Sequence, residues 1–218
     1  MNMSEKYKPQ IDIIWAKETN SSLDEVRIPP IYPGEVKENA ILIVGLNPSL
    51  SKGEEERLLK KYTEKNDDKG KADEVQDDEK VHKYFRRFPK LVGKTHFEWT
   101  HIDLLFFQKT NSKSAKWLWK NHPEFIKDQL AISINILKEI KPKVIIVNNA
   151  FSSELIKSYQ KEGNYTISDF NENIGTYLFN DNIPIFFSSM IEGPSPMDNG
   201  TFERLQWHIN FTLKKMTQ

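Results

Sequence analysis

The chain has 218 residues, and its 31 Lys+Arg balance 31 Asp+Glu, so no global charge points to nucleic acid and only a local basic patch can do so. It contains no cysteine, which excludes disulfides, thiolate zinc sites and cysteine-held iron–sulfur clusters. Hydrophobic residues at 38 % and aromatics at 11 % suffice for the core of one α/β domain, expected over 1–218.

Residues 1–39 read as an N-terminal extension. Its start is polar and lacks an apolar signal core, and no apolar run reaches membrane-spanning length. A cytoplasmic protein with no membrane partner is expected. Ile11 to Lys17 predicts a short helix that packs Ile13, Ile14 and Trp15 on the domain. The apolar run at 41–46 predicts a first, buried parallel strand, ended by Gly45 and a turn that presents Asn47. Glu54 to Lys65 has helical composition, and 66–80 reads as a charged, solvated insertion. Val81, Tyr84, Phe85, Phe88 and Leu91 recur at three- and four-residue steps, which predicts an amphipathic helix over 79–92, bent or ended by Pro89.

A second strand is expected at 100–107 and a long helix at 123–140, opened by His122-Pro123. A third strand follows at 144–147, ended by Asn148 and Asn149, and then a helix over 152–160. Residues 163–182 suggest a small hairpin or loop. The fourth strand is placed at 184–188, and a last helix at 201–215 follows the turn 193–200. The alternation predicts a three-layer α/β/α domain with a parallel four-stranded sheet. In such sheets ligands bind beyond the carboxyl ends of the strands, where Gly45 to Ser51, Asn148-Asn149 and Ser188 to Asn199 all fall.

The early motif Gly45-Leu46-Asn47-Pro48-Ser49-Leu50-Ser51 and the late motif Gly193-Pro194-Ser195-Pro196-Met197-Asp198 together resemble the uracil-DNA glycosylase superfamily, nearest its mismatch-specific branch. The aromatic–basic stretch His82 to Phe88 is similar to the helix that follows the first motif there. The resemblance implies strand order 2-1-3-4. It also implies a DNA glycosylase, without metal or cofactor, that excises uracil or another damaged or mismatched base by hydrolysing the N-glycosidic bond. By the same resemblance Asn47 positions the attacking water. Gly45, Leu46, Pro48 and Ser49 form the base- or phosphate-binding turn, and Ser195 pinches a phosphate. Met197 wedges into the gap left by a flipped base. Gly193 stands where strongly uracil-active members carry His. Gln108 stands near the place of the base-reading Asn, and Asn148 closes the third strand.

Basic residues interleaved with aromatics support a DNA surface: Lys83, Arg86 and Arg87 near Phe85 and Phe88, and Lys113 and Lys116 near Trp117 and Trp119. The alternatives are a catalytically weak or inactive member of the same fold that binds nucleic acid or a nucleotide, and an interaction protein that uses 66–80. No G-x-G-x-x-G, Walker A or nucleophile-elbow sequence is present, and the five His show no metal-ligand spacing.

Overall fold

Strand β1 (Ile41–Gly45) is buried at every position and pairs in parallel with β2 (Trp99–Asp103) on one side and β3 (Val144–Asn148) on the other. A continuous apolar run is what a strand covered on both faces requires. The structure is a computed structural model that describes residues 2–18, 23–49, 53–54, 56–58, 83–109, 112–193 and 195–216. The insertion at 66–80 and most of the helix expected at 54–65 lie outside these residues.

Beyond β3 lies β5 (Ile183–Ser188), also parallel, and at the edge β4 (Tyr177–Phe179), antiparallel to β5. The sheet therefore has five strands in the order β2-β1-β3-β5-β4. The four-stranded, wholly parallel sheet expected from the sequence is corrected by this edge strand. Asn180 and Asp181 adopt left-handed φ angles of 48° and 62°, and this turn folds β4 back onto β5.

Helices cover both faces. On one face α1 (Met3–Glu18), α3 (Ser112–Asn121), α4 (Pro123–Ile140) and α5 (Ala150–Ser158) bury residues such as Ile11, Leu118, Leu130 and Leu155 over Leu42, Val44, Ile145 and Val147. On the other face α2 (Phe88–Val92) and α7 (Asn199–Met216) pack Phe88, Leu91, Phe202 and Ile209 over Ile41, Ile43, Ile146 and Phe186. The alternation of side chains along each strand divides the two cores. A short helix, α6 (Gln160–Gly163), follows α5.

Helix α1 is longer than the expected 11–17. Met3, Tyr7, Ile11, Ile14 and Trp15 form its buried stripe, and Trp15 meets Phe125 of α4 edge-on at 5.4 Å. Ile13 is exposed rather than packed, since it falls off that stripe. Within 79–92 the structure describes a 3₁₀ turn at Lys83–Phe85 and then α2, with Pro89 in the first helical turn, where its missing N–H costs nothing.

The second strand ends at Asp103, four residues sooner than expected. Leu104 to Phe107 are still buried, but their backbone is satisfied in other ways. Leu104 and Leu105 donate to the carbonyls of Gly45 and Leu46. Gln129 of α4 accepts from the Phe106 N–H, and Ser133 donates to the Leu104 carbonyl. Two buried polar side chains of α4 thus replace a ladder and let the chain turn over the sheet end.

Candidate functional site

The carboxyl ends of β1, β2 and β3 open into a cavity of about 1000 Å³. Its lining includes Leu46, Asn47, Pro48 and Ser49 from the turn after β1, and His101, Asp103, Gln108 and Lys109 from β2 and its loop. Tyr84, Phe85 and Arg86 form a second wall. Asn148, Asn149, Met190, Glu192, Gly193 and Ser195 close a third side. Several separate stretches of the chain converge here, among them the loops that the parallel strands release at one sheet edge.

The ionisable centre is a pair that sequence reasoning passed over. Trp99, His101 and Asp103 share one face of β2, and Asp103 stands beside Gly45 of β1. A Cβ at Gly45 would overlap Asp103 Oδ1 and approach His101 Nε2 to 2.9 Å, so glycine is what admits the carboxyl here. The Asp103 side chain is 19 % exposed. Burial pushes its pKa up to about 7.

His101 lies within a cage of Tyr84, Phe85 and Phe88, with ring centroids 5.7, 5.2 and 5.9 Å away. Desolvation there lowers its pKa to about 4, so the imidazole is neutral at pH 7. Its Nε2 is buried, has no hydrogen-bond partner among the described residues, and lies 3.6 Å from Asp103 Oδ1. That is too long for a hydrogen bond. The Tyr84 hydroxyl is held above its usual pKa, first by burial and then by the charge of Asp103. Asn148 fixes it by donating from Nδ2 at 2.9 Å, while Asn148 Oδ1 accepts from the Ile191 N–H. Asn148 is therefore a buried brace between β3 and the 190–197 loop.

Asn47 lines the cavity, but its Nδ2 faces the carbonyls of Pro48, Phe107 and Lys109 at 3.0, 3.5 and 3.4 Å. It ties the turn after β1 to the loop after β2, so any water it orients must be held by Oδ1. Gln108 also lines the cavity and donates to the Pro29 carbonyl at 2.9 Å. Ser49 and Ser195 are exposed at the rim. Gly193 has φ of 134°, a conformation that disfavours any side chain, and a Cβ there would strike Met190 Sδ. The His that this position would carry in a uracil-active enzyme does not fit this backbone.

Two residues expected at DNA lie inward. Met197 is only 7 % exposed and packs in the core with Phe202 and Ile209. Arg87 donates to the carbonyls of Ile191 and Met197 and to Asn199 Oδ1, and its guanidinium lies 4.3 Å from the Phe202 ring centroid. It clamps the late loop. Lys113 and Lys116 are exposed on α3, with Lys116 Nζ 5.6 Å from the Phe151 ring centroid, and Arg86 is exposed at the cavity rim. The side chain of Lys83 lies outside the described residues. Among the described residues no three His, Asp or Glu side chains are grouped to hold a metal ion, and no helix is long and apolar enough to cross a membrane.

No protein-family model matches the chain, and no solved structure does. A uronate isomerase of Caldanaerobacter subterraneus subsp. tengcongensis is similar at 30 % identity over 87 residues, a match that covers 38 % of this chain and 19 % of that enzyme. That partial likeness is to an unrelated enzyme. With no family match beside it, the resemblance to the uracil-DNA glycosylase superfamily drawn from the two short motifs is overturned.

Proposed function

We propose that the protein binds a nucleobase-bearing substrate in the cavity at the sheet's carboxyl edge and hydrolyses its N-glycosidic bond, with Asp103 as the proton donor. The observation that carries this reading is the Asp103 carboxyl, 19 % exposed beside Gly45 and opening on that cavity, where desolvation pushes its pKa up to about 7. A departing base takes up negative charge as the sugar gains oxocarbenium character. A carboxylic acid kept protonated near neutrality can neutralise that charge. Water adds to the anomeric carbon as the C–N bond breaks. The base leaves with the Asp103 proton, and the proton shed by the water returns to the carboxylate.

The rest of the wall suits a base. Tyr84 and Phe85 offer aromatic surface for a planar ring, and Asn47 and Gln108, whose amide nitrogens face backbone carbonyls, offer their oxygens for its polar edge. His101, neutral at pH 7, supplies no positive charge that would drive Asp103 to ionise.

A second reading, binding without turnover, is favoured by one feature. The Asn47 amide hydrogens face loop carbonyls instead of the cavity, which leaves fewer donors to polarise a water or a leaving base. Release of free base from a panel of nucleosides, nucleotides and oligonucleotides separates the two. Base release by wild type that falls about a hundred- to ten-thousandfold in Asp103→Asn supports hydrolysis. Saturable binding with no release from any substrate supports the second reading.

A further inference from the structure

We infer that this site takes a free nucleoside phosphate and not a base presented by a nucleic-acid strand, an inference that rests on the base-binding reading of the cavity and names its substrate class. Two of the groups the sequence offers for a strand are turned inward. Met197 is buried among Phe202 and Ile209, so its side chain is not presented to fill a stack from which a base has left. Arg87 is held by two backbone carbonyls and Asn199. A strand needs a tract of cations to neutralise successive phosphates. The cavity rim instead mixes signs, with exposed Arg86 close in sequence to the inward Arg87 and with Glu192 on another wall.

A single phosphate has different needs. Arg86 can grip it with a planar, two-pronged guanidinium, and the Ser195 and Ser49 hydroxyls at the same rim can donate to its oxygens. Glu192 repels a continuous backbone, yet its carboxylate can accept from ribose hydroxyls. The cavity, about 1000 Å³, lies at the upper end of the roughly 300–1000 Å³ common for whole small-molecule ligands. It is therefore large enough for base, sugar and phosphate together.

The test is calorimetric titration of the wild-type chain with nucleoside monophosphates, the matching nucleosides and a single-stranded oligonucleotide carrying the same bases. One monophosphate is expected to bind about tenfold more tightly than its nucleoside, a gain typical of one charge-assisted contact. Arg86→Gln, a change at an exposed residue, removes that difference and leaves nucleoside affinity in place. The oligonucleotide binds no better than the nucleoside. Tighter binding of the oligonucleotide, equal affinity for nucleoside and monophosphate, or no binding of any of these probes overturns the inference. A monophosphate that binds as expected but releases no base leaves the inference standing and removes the hydrolytic reading instead.

Discussion

Gly45 and Asp103 face each other across neighbouring parallel strands, so closely that a Cβ on Gly45 would overlap the Asp103 carboxyl. The acid and the absence of a side chain beside it form one structural feature. Gly45→Ala is therefore expected to push Asp103 aside, toward the solvent of the cavity. Base release should fall as in Asp103→Asn, and stability should drop by about 1–3 kcal/mol, the usual cost of overpacking a filled site. Thermal melts alongside the release assay check both effects. An alanine variant with full activity would show that the close approach has no consequence.

The Asp103 carboxyl makes stability depend on pH with a defined sign. Its folded pKa of about 7 lies above the ordinary carboxylate value of 3.8. Between those values the unfolded chain has lost the proton and the folded chain retains it. Stability therefore falls as pH rises through this window, and the full penalty is present above about 7. Asp103→Asn cannot ionise and escapes the penalty. Its melting temperature is expected to exceed wild type at about pH 8 and to approach it near pH 4, which melts across that range measure. His101 acts in the opposite direction. Its pKa is lowered from 6.5 to about 4, so folding loses stability as pH falls through that interval.

Arg87 holds the late loop by hydrogen bonds to the Ile191 and Met197 carbonyls. Arg87→Ala leaves those part-buried acceptors without their donor and removes the guanidinium from the Phe202 ring. Destabilisation of about 1–3 kcal/mol is expected in denaturant titration. The salt dependence of ligand binding should not change, because this charge faces the loop.

Gly193 occupies a backbone conformation with φ of 134°, and any Cβ meets Met190. Gly193→His, the substitution that would install an imidazole for a departing base, is expected to destabilise the chain by about 1–3 kcal/mol and to raise no activity. Gly193→Ala should show most of the same loss, since the strain begins at Cβ. Melts of the two variants test this.

The α/β class with a mostly parallel sheet could be read from the sequence, because buried strands such as β1 and β3 are continuous apolar runs separated by helical stretches. The edge strand Tyr177–Phe179 could not, being three residues long, although Asn180-Asp181-Asn182 marks its turn. The end of β2 was misplaced because Leu104 to Phe107 are as apolar as a strand while Gln129 and Ser133, distant in sequence, satisfy their backbone. The turn containing Asn47 was correctly placed at a strand end, but the direction of its amide depends on carbonyls sixty residues away.

His101 and Asp103 carry a local signal in the sequence. Two ionisable residues at alternate positions of a strand that leads into a buried apolar loop must share a face, and one covered by Tyr84, Phe85 and Phe88 shifts both. The cage itself comes from residues 84–88, beyond the reach of spacing arguments made on the strand alone.

The most direct test of the account is the pH dependence of base release by wild type and Asp103→Asn under single-turnover conditions, with circular dichroism confirming that both are folded. The account predicts release by wild type that declines as pH rises through about 7, where Asp103 loses its proton, and a variant slower by about a hundred- to ten-thousandfold. A folded Asp103→Asn that releases base at the wild-type rate would contradict it, as would wild-type release that is indifferent to pH across neutrality.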